Sequence, residues 1–129
     1  MLVREQQTQL HQHNEGNMIR VTFEKNEETK TLTLSVNGHA GQAEYGKDIV
    51  CSSVSILTYT IAQCMEIMFE HHKLKKKPSI LLDSGDAEIV VKPKTEHYAE
   101  ALKTYFDIQV GFALLAKTYP QYVELKMFE

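Results

Sequence analysis

"KTLTLSVNGHAGQAEYGKDIVCSSVS", Lys30 to Ser55, changes its period part-way, and that change decides the fold. Up to Val36 the apolar residues alternate: Leu32, Leu34 and Val36 face one way, as in a strand with one buried side. From Val50 the spacing becomes three-and-four, and Val50, Val54, Leu57, Ile61, Cys64 and Met68 form one stripe of a long helix. Gly38, Gly41 and Gly46 lie between. The segment therefore predicts strand, loop and helix, with His39 just past the strand. Asp48 stands where an N-cap belongs, which makes Cys51 the third helical residue.

Working outward, "MIRVTFEK" (Met18 to Lys25) alternates Ile19, Val21 and Phe23 against polar partners, and "NEET" makes a turn, so a hairpin precedes the helix. The helix fades at "EHHKLKKKP", where Pro78 cannot continue it. "SILLD" and "AEIVVKP" read as two short strands about a turn at "DSGD". Thr95 is the expected cap of a second long helix carrying Tyr98, Leu102, Tyr105, Phe106, Val110, Phe112, Ala113 and Ala116. Pro120 closes that helix. "QYVELKMF" supplies a last strand with Tyr122, Val123, Leu125 and Met127. The order ββαββαβ predicts an α+β fold, a mostly antiparallel sheet covered by two long helices. It occupies one domain, residues 18–129. "MLVREQQTQLHQHNEGN" (residues 1–17) is polar and aperiodic, and reads as a disordered leader, an expression scar or an upstream extension.

The bulk properties exclude several function classes. The chain has 129 residues, enough for a core without disulfide staples, and a formal net charge of -3, which argues against direct nucleic-acid binding. No apolar run approaches a membrane span of about 18 residues, and the N-terminus lacks the order of a secretory signal. Cys51 and Cys64 on one helix would stand roughly 20 Å apart, far beyond the reach of a disulfide, so both are free thiols suited to a reducing compartment. These properties predict a soluble, cytoplasmic protein.

The loop raises a chemical possibility. First-turn amides lack intrahelical partners and the helix dipole adds partial positive charge, so a thiolate at Cys51 is favoured, and the thiolate is the reactive form. The glycines let the chain bend back and bring His39 to Cys51. Such a pair suits attack on an acyl carbon, with His39 as proton donor to the leaving group and the first-turn amides as an oxyanion hole. Ser55 projects on the same face one turn on. The plain alternative is a small buried cysteine and a solvated histidine. Spacing alone leaves both open.

"GHAGQAEYGKDIVCSSVS" resembles the signature of the ribosomal-processing cysteine proteases: Gly-His-Ala, a short loop, Gly-x-Asp-Ile-Val-Cys, two small residues, Val-Ser. Gly38, His39, Ala40, Gly46, Asp48, Ile49, Val50, Cys51, Val54 and Ser55 match in order. "MIRVTF", the element order and "GFALLAKTYPQYVEL" are also similar to the family's layout, so the likeness spans roughly Met18 to Glu129. The resemblance implies a cysteine endopeptidase that removes a short N-terminal extension from a ribosomal large-subunit protein. It implies Cys51 as nucleophile, His39 as general acid/base, Asp48, Ser55 and Gly38 in support, and a mobile loop containing Gly41, Tyr45 and Gly46. It also implies a homodimer and no cofactor or metal. Ser52 and Ser53 stand where alanines are common, and some relatives come from phages and process capsid proteins.

Two rivals remain: a noncatalytic ribosome-associated binding module, and another thiol acyl-transfer enzyme such as a thioesterase. Cys64, on the apolar stripe, is expected to be core. "HHKLKKK" (His71 to Lys77) is expected to be a solvated helix end, or else a contact for RNA phosphates. His71 and His72, adjacent on a helix, point about 100° apart and do not suit one metal ion.

Overall fold

The computed structural model describes residues 18–39 and 45–128, and of residues 45–48 the backbone alone. The leader, Gly41 and Glu129 lie outside the described residues.

The period-2 segments form the expected hairpin. β1 (Ile19–Asn26) and β2 (Thr31–Asn37) pair antiparallel, with Val21 opposite Val36 and Phe23 opposite Leu34. The Asn26 side-chain oxygen accepts from the amides of Glu28 and Thr29, both at 3.0 Å, and so orders the turn. β3 (Ser79–Asp83) and β4 (Asp86–Val91) form a second hairpin, and β4 pairs antiparallel with β2. β5 (Val123–Lys126) returns parallel to β1 on its other side. The sheet is thus mixed, in the order β3-β4-β2-β1-β5, with β3 and β5 at its edges among the described residues.

Two helices cover one face, α1 (Tyr45–Glu70) and α2 (Tyr98–Thr118), in the predicted order. They approach closely at Gly111, where an added Cβ would lie 2.8 Å from a methyl of Leu57. Beneath them Phe23 is the centre of an aromatic cluster, its ring edge-on to Phe112 at 5.9 Å, Phe128 at 5.5 Å and Tyr105 at 6.5 Å. The Tyr105 hydroxyl donates to the Ile89 carbonyl at 3.1 Å, so this buried phenol is satisfied, and its burial pushes its pKa up.

Four expectations change. α1 begins three residues before Asp48, so Asp48 is not an N-cap, and Tyr45 and Gly46 fall in the first helical turn rather than in the loop. Thr95 belongs to a 3₁₀ turn, Thr95–His97, and α2 starts at Tyr98 without a side-chain cap. The buried stripe of α2 runs through Tyr98, Ala101, Tyr105, Gln109, Phe112 and Leu115, which turns Phe106 and Val110 outward. Gln109 is accommodated because its oxygen accepts the Phe128 amide at 3.0 Å. Finally, the helix stops before the basic run. His72 takes a left-handed φ of 63°, its amide bonds Phe69 and the Lys73 amide bonds Met68, a Schellman closure. The run then crosses toward β4: Leu74 is buried against Pro93, and Lys73 bonds Glu100 of α2 at 2.8 Å.

The stretch Ile49–Glu70, though interrupted by polar residues, reaches a mean hydropathy of 1.2 and passes for a membrane-crossing helix by length and composition alone. Part of that apolarity is packed and part is exposed, Ile56 at 62% and Tyr59 at 54%. Val50, Val54, Ile61, Met65 and Met68 are buried in the core, and Cys64 packs against it at the edge.

Candidate active site

The site forms where β2 ends. Gly38 takes φ +99°, and an added Cβ would overlap the Met18 carbonyl, so the chain can turn here only without a side chain. The Gly38 amide donates to the Gly85 carbonyl at 3.0 Å, and the Asn37 side-chain amide donates to Asp86 at 2.9 Å. The corner that carries His39 is therefore fastened to β1 on one side and to the β3–β4 turn on the other. His39 itself is exposed, and its ring rests against Gly85.

Cys51 reaches the same place from α1. It is half-buried, and the longer helix makes it the seventh helical residue rather than the third. Its amide therefore lies inside the intrahelical ladder, and the open amides belong to the preceding turn.

The two side chains line one cleft of about 340 Å³, together with Ser55, Thr58, Tyr59, Leu82, Asp83 and Asp86. No hydrogen bond joins His39 to Cys51 among the described residues. Both open onto one space, so a bound acyl group could meet thiol and imidazole together, and apo geometry of this kind commonly tightens on binding. Ser55 lies one turn beyond Cys51 on the cleft wall. Ser53, Thr58 and Thr60 each turn the hydroxyl back to the carbonyl four residues earlier, at 2.8, 2.7 and 2.6 Å. Ser55 makes no such bond among the described residues, which leaves its hydroxyl for the cleft.

Of the predicted site residues, the structure brings Gly38, His39, Cys51 and Ser55 to one cleft. Gly41 lies outside the described residues, and the side chains of Tyr45 and Asp48 are not described. Sequence reasoning missed the wall opposite α1, namely Leu82 to Asp86. "DSGD" signalled a turn, but only the β2–β4 pairing carries that turn to His39. Tyr59 of α1, which lines the cleft and is 54% exposed, was missed as well.

Comparison with known proteins agrees with the fold. A structure of SMU.848 from Streptococcus mutans superposes with a TM-score of 0.68 at 24% identity, covering 90% of this chain and 99% of that one. The ribosomal processing protease Prp from S. aureus, in complex with a substrate peptide, gives 0.62 at 21% identity, covering 85% and 99%. The same protease with a covalently linked product peptide gives 0.61 at 22%, with the same coverage. At these identities the likeness establishes the fold. No curated protein matches. The profile of the cysteine protease Prp matches residues 18–124, from the first strand into the last and through the whole cleft, so the chain belongs to the Prp family of cysteine proteases.

Proposed function

We propose that this protein is a cytoplasmic cysteine endopeptidase that removes a short N-terminal extension from a ribosomal large-subunit protein. The observation that carries the reading is the placement of His39 and Cys51 on the walls of one cleft. Family membership supports the reaction class, and the peptide complexes of the similar S. aureus protease support a ribosomal peptide as substrate. The catalytic domain spans residues 18–129 and residues 1–17 precede it.

In the proposed reaction the Cys51 thiolate attacks the scissile carbonyl carbon, and the C=O π electrons move to oxygen. Collapse of that intermediate breaks the C–N bond, and protonated His39 gives its proton to the departing amine. The thioester that remains is hydrolysed by water, with neutral His39 taking the water proton and Sγ leaving as thiolate. The enzyme returns to its starting state. Gly38 supports the site by holding the His39 corner, and Ser55 by offering a free hydroxyl beside Cys51.

The protein acts as a homodimer in this reading. Phe106, Val110 and Leu114, spaced four apart on the outward face of α2, are 51%, 45% and 62% exposed, a stripe suited to a second copy.

Mass spectrometry of a bacterial ribosomal protein bearing its extension, incubated with the protein, tests the reading. One defined cut, lost in Cys51→Ala and His39→Ala and kept in Cys64→Ala, is the expected result. A cut confined to a phage capsid precursor would reassign the substrate. No cut by folded protein on any of these would leave a binding module as the better account.

A further inference from the structure

We propose that Gly85, in the β3–β4 turn, is a positioning residue that sets the imidazole of His39 in the cleft. The inference rests on the reading of His39 as acid–base. His39 lies just beyond the end of β2, and no hydrogen bond among the described residues holds its ring. An exposed side chain on such a corner samples several rotamers, whereas proton transfer requires a fixed one. Something outside its own segment must therefore limit the ring.

Gly85 meets that need in two ways. The Nε2 end of the His39 ring occupies the space that a side chain at position 85 would take. An added Cβ would overlap Nε2 and lie 2.6 Å from Cε1 and 3.0 Å from Cδ2, so the ring rests on the bare Cα. The Gly85 carbonyl also accepts the Gly38 amide at 3.0 Å, and the next residue, Asp86, accepts from Asn37 at 2.9 Å. Surface and corner are thus tied together. The corner cannot retreat from the turn, because Gly38 abuts the Met18 carbonyl on the other side.

Gly85 also takes φ +76°, so its backbone alone favours glycine. The two demands can be separated. Asparagine tolerates a left-handed backbone but brings a Cβ, so Gly85→Asn keeps the turn and displaces the ring. Asn37→Ala, at an exposed residue, loosens the tie without touching the ring.

The test measures peptide cleavage and the rate of Cys51 alkylation by iodoacetamide, mapped by mass spectrometry, for each variant alone and combined with His39→Ala. Gly85→Asn is expected to melt like the parent, to lose about 100-fold in kcat with KM little changed, and to slow Cys51 alkylation as His39→Ala does. Asn37→Ala is expected to lose about tenfold. Neither should slow Cys51 alkylation further once His39 is alanine, which separates action through His39 from a general structural role. A folded Gly85→Asn that keeps cleavage within about threefold of the parent, while His39→Ala is dead, overturns the proposal and leaves the acid–base reading intact. So does a loss that persists in the His39→Ala background. If Gly85→Asn does not fold, an Asn37→Ala of parental activity overturns it. A His39→Ala that cleaves at the parental rate sinks the acid–base reading instead, and the proposal with it.

Discussion

Cys51 and Cys64 share one helix, yet only Cys51 opens onto the cleft among the described residues. Iodoacetamide should therefore remove proteolytic activity in step with modification of Cys51, and Cys64→Ala should keep the parental rate. His39→Ala should cost about 10²–10⁴-fold in kcat, the usual worth of a general acid–base. A loss below about tenfold would place the proton donor elsewhere. In the core, Phe23 is 1% exposed and touches three rings, so Phe23→Ala should destabilise by about 3–5 kcal/mol in a urea titration. The loss combines transfer of the ring with a cavity that Tyr105, Phe112 and Phe128 cannot all collapse into. His72 offers the opposite sign. It holds φ 63° at the Schellman closure, so His72→Gly should relieve about 1–2 kcal/mol of backbone strain, offset in part by glycine's greater unfolded-state entropy. A small rise in melting temperature is expected, and a fall would show that the imidazole makes a stabilising contact.

The elements were legible where a period ran long enough. Val21, Phe23, Leu32 and Leu34 alternate and are buried as read, and Val50, Val54, Ile61 and Met68 line the inner face of α1. Ends were harder. Asp48 reads as a cap because its residue type favours one, but backbone bonding carries α1 back to Tyr45. In α2 aromatic and apolar residues lie on two faces, so periodicity could not say whether Tyr105 or Phe106 points inward. The sheet decides, since the Tyr105 hydroxyl finds the Ile89 carbonyl. The basic run misled for a related reason: Leu74 is its one apolar residue, and a single buried leucine has no period. The tie from this strap to α2 carries its own prediction. Lys73, hydrogen-bonded to Glu100, is the main cause that holds the Glu100 carboxyl below its usual value, and His97 adds to it. A carboxylate lowered on folding stabilises at pH above its unfolded value, and that contribution is lost as pH falls through the folded one. Glu100→Gln should therefore lower the melting temperature slightly near pH 7, and the gap from the parent should close in acid. The pair is partly exposed, so the effect is small. A gap that persisted at low pH would assign it to packing.

At the scale of the molecule the site is a meeting of distant segments. The signature gave His39 and Cys51 because they sit in one stretch, whereas Gly85 and Leu82 enter through strand order, which no local pattern encodes. The stripe Phe106, Val110 and Leu114 belongs to this scale too. Leu114→Glu should convert a dimer to monomers in sedimentation velocity while far-UV circular dichroism is unchanged, because Leu114 is 62% exposed in the single chain. Unaltered sedimentation would move the interface off α2.

The parallel pairing of β5 with β1 has a consequence for how the protein is born. Ile19 lies beside Val123, and the Ile19 amide bonds the Tyr122 carbonyl, so β1 awaits a partner about 100 residues further along the chain. During synthesis β1 can pair with β2 at once, but its pairing with β5 waits until residues 123–126 emerge. Phe128, which completes the aromatic cluster on Phe23, arrives later still. The same end of β1 holds Met18 against Gly38 and so braces the His39 corner. A nascent chain stalled before residue 122 would carry His39, Cys51 and the Met18 and Gly85 contacts of the corner, yet leave β1 without its β5 neighbour. The firmest setting of β1, and of the Met18 contact behind the His39 corner, thus follows the making of β5.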